Sequence, residues 1–374
     1  MSLTAQLDAL APDLLARIVA RGFDRDRLLS WAARVGEDRD ARNRLPGEVA
    51  LVPLEQIGQQ PEAGSAEHQR LAQLGEEALA QGQLAVCVMA GGMATRMGGV
   101  VKALVEAADG YTFLDIRLAE AKAVRKRHDS PQLPVWLMTS EATDGPIRSA
   151  VDDSPHADEV ATFEQCVSLR LTPEGELFLD DQGHPSVYAT GHGDLPDALR
   201  QSGLLEPFHE RGGRYVWISN IDNLGASIDP AVLGWHVDRG GPLTVELADK
   251  HPGDKGGGPV LHDGAPVISE YFRLPPDFDT DRIPVFNTNT FLVSTHALAA
   301  LEMDWSYLEV HKKKGERTAV QFERLIGELT FTLEPQLLRV PREGNANRFM
   351  PVKDLAALER LRPEFSRIAK ARVG

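Results

Sequence analysis

Leu84-Ala-Val-Cys-Val-Met-Ala90 is an uninterrupted apolar run closed by Gly91-Gly92. With no polar residue at every second position, it has no face to give to water. It therefore reads as a strand buried on both sides, the kind found in parallel sheets covered by helices. The next hundred or so residues keep that pattern. Phe113–His128 reads as an amphipathic helix, Leu133–Met138 as a second buried strand and Asp144–Val151 as a short helix. A strand near Glu159–Phe163, a helix over Leu195–Arg211 and a buried strand over Arg214–Ser219 come after them. Strands alternating with helices predict an α/β fold: a doubly wound, largely parallel, Rossmann-like sheet flanked by helices.

On either side the pattern differs. Residues 1 to about 45 read as helices, with Leu7, Leu10, Leu14, Leu15 and Ile18 at helical spacing, and Pro46–Glu67 as a connector. Val167–Leu171 and Glu176–Leu179, joined by Pro173-Glu174-Gly175, predict a hairpin. After Gly241 the runs Leu243–Ala248, Pro259–His262, Pro266–Arg273 and Pro284–Ser294 predict a smaller antiparallel addition. Helices are expected near Thr318–Leu329 and Asp354–Leu361. The expected organisation is an N-terminal helical segment and connector (1–66), a main domain (67–335) and a C-terminal segment (336–374).

Composition narrows the partners. Of 374 residues 42% are hydrophobic, enough for a large core, and the formal net charge is −15. Nucleic acid and anionic membranes both need an outward excess of Lys and Arg, so neither is an expected partner. Phosphates need only a local cluster of donors. Cys87 and Cys166 are too few for a disulfide framework, and Cys87 reads as a buried thiol. Met1–Asp13 has no basic or apolar leader pattern, and no run reaches the roughly 18 apolar residues of a membrane span. A soluble, cytoplasmic protein is expected.

Three segments hold candidate chemistry. Gly91-Gly92-Met93-Ala94-Thr95-Arg96-Met97-Gly98-Gly99, with Lys102 close behind, puts a glycine pair at the end of a buried strand. There the backbone can approach a nucleotide, with Arg96 and Lys102 available for phosphate charge. It is neither G-x-G-x-x-G nor a P-loop, and alone it is as well explained by an ordinary turn. Gly191-His192-Gly193-Asp194 is equally a turn in which Asp194 caps the next helix. Ser219-Asn220-Ile221-Asp222-Asn223 sets a carboxylate at the end of a parallel strand, where such sheets bind ligands; a strand-end turn accounts for it too. Lys312-Lys313-Lys314 is better read as a solvated charge run than as a phosphate site.

Together these segments resemble the UDP-glucose pyrophosphorylase (UTP–glucose-1-phosphate uridylyltransferase) family over about Leu84–Leu361. The opening loop 90–98 with Lys102 matches the family's Asn-Gly-Gly-x-Gly-Thr-Ser-Met-Gly and Gly-Pro-Lys. Tyr111–Ile116, Phe163-Glu164-Gln165, Thr190–Asp194, Asn220–Ala226, Phe286–Thr290 and Arg348–Lys353 match six further motifs in the family's order. The resemblance implies the nucleotidyltransferase type of Rossmann-like fold, and UTP and a sugar 1-phosphate as substrates with Mg²⁺ as cofactor. It implies that Gly91 and Gly92 line uridine, that Gln165 binds uracil and that Gly191 packs near the base. Lys102 and Lys353 would hold phosphates, with Arg96, from the loop reading above, as a further catalytic candidate. His192 and Asn220 would contact the phosphate and sugar region, and Asp222 would bind the metal. Gly257, Glu270, Asn287 and Asn289 would surround the sugar. Because the chain stops soon after Lys353, the resemblance implies a short form without the C-terminal β-helix of larger members, and no oligomeric state.

The reaction suits this residue set. Joining two polyanions at the α-phosphorus of UTP needs alignment and charge neutralisation, not a protein nucleophile. The sequence offers no Cys–His pair and no Gly-x-Ser-x-Gly elbow. Three departures stand out: Ala94 for a loop glycine, Val100-Val101 before Lys102, and Arg96 where the glucose enzymes carry Ser. Arg96 resembles the related N-acetylhexosamine enzymes, whereas Phe286-Asn287-Thr288-Asn289 leans towards glucose. The same reaction on N-acetylglucosamine 1-phosphate or another sugar phosphate is the alternative. An inert nucleotide-sugar binder is the alternative of another class.

Overall fold

A computed structural model describes residues 1–254 and 256–373. Its centre is an eight-stranded sheet. In chain order the strands are β1 (Ile57–Gln59), β2 (Leu84–Met89), β3 (Val135–Thr139), β4 (Val160–Glu164), β5 (Tyr215–Asn220), β6 (Leu243–Asp249), β7 (Val285–Ser294) and β8 (Pro335–Arg339). Across the sheet they run β1-β8-β6-β7-β5-β2-β3-β4. Only β7 is antiparallel to its neighbours, β5 and β6; every other pairing is parallel.

The apolar run behaves as its pattern demands. Because side chains alternate along a strand, Leu84, Val86 and Val88 join the core on one face, and Ala85, Cys87 and Met89 join the other. Helices Ala66–Ala80, Phe113–Arg127, Pro230–Arg239 and Leu355–Val373 cover the first face. Helices Leu195–Gln201 and Leu205–Glu210, with the 3-10 turn Ile326–Phe331, cover the second. The helix Phe113–Arg127 opens on a capping box. Thr112 Oγ1 accepts the Asp115 N–H at 3.1 Å, and Asp115 Oδ2 accepts the Thr112 N–H at 2.9 Å. The Thr-Phe-Leu-Asp match thus has a structural reason of its own.

Several expectations are corrected. The connector contributes an edge strand, β1. The strands 243–249 and 285–294 belong to the main sheet, and the small antiparallel sheet is built from Val49–Leu51, Gly257–His262 and Ala265–Glu270. Leu195–Arg211 is two helices, because Gly203 takes φ +73° between them. The expected hairpin is present but short, with Leu171 bridged to Leu177 between the bonds Phe178 N–H to Arg170 O and Thr172 N–H to Glu176 O, while Val167–Leu169 pairs with Val187–Ala189. Arg317–Glu323 is a strand paired with Leu308–Lys314, not a helix. The last helix continues past Leu361 to Val373. The sheet takes strands from all three expected segments. The N-terminal helices pack separately, with Leu7, Ile18, Phe23 and Leu28 against Leu169, Val320 and Phe322.

Candidate active site

The parallel strands β2, β3, β4 and β5 end on one edge of the sheet, and the chain turns there into the candidate residues. In register, Asn220 of β5 lies beside Met89 of β2. Gly91 and Gly92 leave β2, Gln165 comes directly after β4, and Ile221 and Asp222 directly after β5. This is the edge where open α/β sheets bind ligands.

A cleft of about 360 Å³ opens there. Gly91, Gly92, Lys102, Gln165, His192, Asn220, Asp222 and Lys353 all line it, brought together from separate parts of the chain. The Gly91 backbone is pinned by Ser140 Oγ, which donates to its carbonyl at 2.9 Å. A Cβ on Gly91 would lie 2.5 Å from Gln165 Oε1, so only glycine lets that amide cross the strand end. Lys102 Nζ donates to Asp222 Oδ2 at 2.8 Å, and the same oxygen accepts the Val352 N–H at 2.9 Å. The two candidate phosphate lysines therefore meet at one carboxylate: Lys102 directly, and Lys353 through its neighbour's backbone.

His192 is held by Ile326, whose N–H donates to Nδ1 at 3.0 Å. Burial pushes its imidazolium down to about 4, against a weaker opposing pull from Glu323, so the ring is neutral at pH 7. Burial raises the Cys166 thiol to about 12 and raises that of Cys87 as well, so neither is poised as a nucleophile.

The sugar-side candidates form a second group at the same end of the sheet. The β5–β7 pairing runs to Ile218 and Phe291, and β7 bulges just beyond it, at Thr288 and Asn289. Asn289 takes φ +58°, and Asn287 Oδ1 accepts its N–H at 3.0 Å. Gly257 pairs with Glu270 across the small sheet, and burial raises the Glu270 carboxyl against the pull of Arg273. Rings of Phe286 and Phe349 approach to 5.7 Å beside them.

Two candidates lie elsewhere. Arg96 sits exposed on the turn Thr95–Met97, away from the cleft lining. Gly191, at φ +105°, faces the Arg324 backbone rather than the cleft. Asp194 stands at the N-cap of the helix Leu195–Gln201, but its side chain makes no capping bond. It is fully buried, accepts from Thr190 Oγ1 at 2.8 Å and pairs with Arg324 at 2.6 Å, anchoring the turn that carries His192. Met89, Met138, Ile221 and Pro351 complete the lining; Ile221 and Pro351 lie within matched motifs, whereas the two methionines carry no distinguishing sequence signal. A larger cavity of about 630 Å³, near Arg44, Phe272 and His311, gathers none of the candidates.

A family model described as UTP–glucose-1-phosphate uridylyltransferase matches residues 45–365. The chain belongs to that family. Among curated relatives, the UTP–glucose-1-phosphate uridylyltransferase of Musa acuminata is 29% identical over 83% of this chain and 67% of its own length. That of Saccharomyces cerevisiae is 28% identical over 87% and 65%. This uridylyltransferase-family chain spans roughly 58 to 67% of the length of the first such relatives. Its fold is that of the UDP-glucose pyrophosphorylase of Leishmania major, studied as a V402W mutant: TM-score 0.68 at 23% identity, covering 90% of this chain and 75% of that one. It is also that of the UDP-N-acetylglucosamine pyrophosphorylase of Trypanosoma brucei, with TM-score 0.72 at 18% identity, covering 89% and 74%. No helix among the described residues is long and apolar enough to cross a membrane.

Proposed function

We propose that this chain transfers the uridylyl group of UTP to glucose 1-phosphate, forming UDP-glucose and releasing pyrophosphate. The convergence of Lys102, Asp222 and Lys353 at the mouth of a glycine-walled cleft carries the reading. An oxygen of the sugar phosphate attacks the α-phosphorus of UTP; the bond from that phosphorus to the bridging α–β oxygen breaks, and the pair leaves on pyrophosphate. Gln165 and the Gly91-Gly92 backbone hold the base. Lys102 and Lys353 neutralise charge that grows in the transition state. His192, neutral, offers a hydrogen bond rather than a proton. Glu270, Asn287 and Asn289 bind the sugar hydroxyls.

Mg²⁺ fits this donor set. No group of three or more His, Cys, Asp or Glu side chains gathers for a metal among the described residues, so a protein-only cage is not available. Asp222 supplies one carboxylate, which suits a small hard cation that keeps waters and takes its other ligands from substrate phosphate. Bound there, the ion would supply charge neutralisation at the phosphates. Lys102 must leave Asp222 for phosphate as the nucleotide arrives.

The test is pyrophosphate release from UTP and Mg²⁺ with glucose 1-phosphate, beside N-acetylglucosamine and galactose 1-phosphates. Release with glucose 1-phosphate is expected. Release with another sugar alone would show that the loop Phe286–Asn289 selects that sugar instead of glucose. UTP binding without turnover of any sugar would make the chain a binder.

A further inference from the structure

We propose that Asn223, outside the cleft lining, is a positioning residue that sets Lys353 for the reaction. This rests on the reading of Lys353 as a phosphate-neutralising group. Lys353 is exposed and carried by a segment, 348–353, that has no regular secondary structure, so something other than a helix or ladder must fix it. Asn223 does this with both ends of its amide. Its Nδ2 donates to the Arg348 carbonyl at 3.1 Å, and its Oδ1 accepts the Met350 N–H at 2.8 Å. Two residues further along, Val352 N–H donates to Asp222 at 2.9 Å. The 222–223 pair thus binds three alternate backbone groups of the segment, as an adjoining strand would, but through side chains.

Both partners of this clamp are themselves fixed. The Asn223 carbonyl accepts from the buried Arg117 guanidinium, which also donates to the Ala226 carbonyl at 2.8 Å. Arg348 is buried and paired with Glu246 through two hydrogen bonds of 2.8 and 2.9 Å, and donates to the Ser227 carbonyl at 3.0 Å. Gly225 lies so close to the Arg348 backbone that an added Cβ would meet its carbonyl carbon at 2.7 Å. Asn223 is 1% exposed and lies behind the cleft, so it acts through Lys353 and not on substrate.

A double-mutant cycle separates positioning from simple structural support. Asn223→Ala should lower kcat roughly tenfold to a hundredfold, the scale of an ångström-level misplacement, with the KM for UTP within about twofold. Lys353→Ala should lower kcat by roughly a hundredfold or more in the wild-type background, whereas the double variant should stay within about threefold of Lys353→Ala alone, so that the further loss in Asn223→Ala is smaller by the factor already lost. Asn223→Asp, isosteric and keeping only the acceptor for Met350, should behave alike and serves if the alanine variant does not fold. Equal fold-losses from Lys353→Ala in both backgrounds would overturn the positioning role while leaving the reaction intact. A Lys353→Ala variant with unchanged kcat would overturn the role given to Lys353, and this proposal with it.

Discussion

At the scale of single residues, His192 illustrates how a hydrogen bond fixes a role. Its Nδ1 accepts the Ile326 N–H, so the ring proton resides on Nε2 of a side chain that lines the cleft. With the imidazolium held down to about 4, no limb from His192 is expected in the pH profile of kcat/KM between about pH 5.5 and 8. His192→Gln, which keeps an N–H donor, should stay within about tenfold of wild type with the same profile. A limb near pH 6.5 that vanishes in the glutamine variant would refute the neutral donor. Gly91 has an equally local meaning. Gly91→Ala pushes a methyl group against the flexible end of Gln165, so the KM for UTP should rise by about tenfold while Tm stays nearly constant. Asp222→Asn should abolish Mg²⁺-dependent activity, since a neutral amide oxygen holds a divalent cation more weakly than a carboxylate. A full Mg²⁺ response in that variant would remove Asp222 from the metal assignment.

Elements joined by the apolar core are also tied at some seams by buried ion pairs. Arg273, just after the small sheet, pairs with Glu328 on the 3-10 turn Ile326–Phe331. It also donates to the Asn43 carbonyl at 3.2 Å and to Ser306 Oγ at 3.1 Å, while Glu328 accepts the Ser306 N–H at 2.9 Å. One guanidinium thus staples the N-terminal helices, the small sheet and the second face of the core. Arg273→Met would strand the buried Glu328 carboxylate, and a loss of about 3–5 kcal/mol in urea unfolding is expected. A change below about 1 kcal/mol would show that these elements stay together without the pair. The strand Arg317–Glu323, which reads as helix in the sequence, belongs to this scale. Thr318, Val320 and Phe322 suit a pleat by their branching and rings, and Leu308–Lys314 supplies the edge that lets that preference prevail over helix formation.

Across the whole molecule, stability in acid should depend on the fully buried His236. It is neutral beneath the sheet, with Nδ1 2.8 Å from Thr244 Oγ1. Burial pushes its imidazolium down to about 4 from 6.5, so the native state binds fewer protons than the unfolded chain between those values. Its contribution is complete above pH 6.5 and is lost as pH falls towards 4, by about 3 kcal/mol in full. Asp194 runs the other way in the same window, because burial raises its carboxyl to about 6 against the pull of Arg324. The clean comparison is therefore wild type against His236→Gln. The gap in urea midpoint between them should narrow from about pH 7.5 to about pH 5, and a gap that stays constant would contradict the buried neutral state.

The sequence by itself determined the doubly wound sheet, because an apolar run with no polar face can only be buried on both sides. It made most of the cleft legible through the family resemblance of seven motifs taken together, because each glycine pair, lysine or strand-end aspartate alone is equally served by an ordinary turn or a solvated surface. Local pattern does not specify which strand an edge finds, so β1, β7 and the Leu308–Glu323 hairpin were decided by tertiary pairing. Arg96 stands exposed on its turn, while the place of Gly191 was likewise decided by the Arg324 backbone beside it. The same holds for Asn223, whose task lies in hydrogen bonds to a segment 125 and 127 residues away. A side chain that acts across such a distance leaves no periodicity or spacing in the chain, and only the folded geometry reveals it.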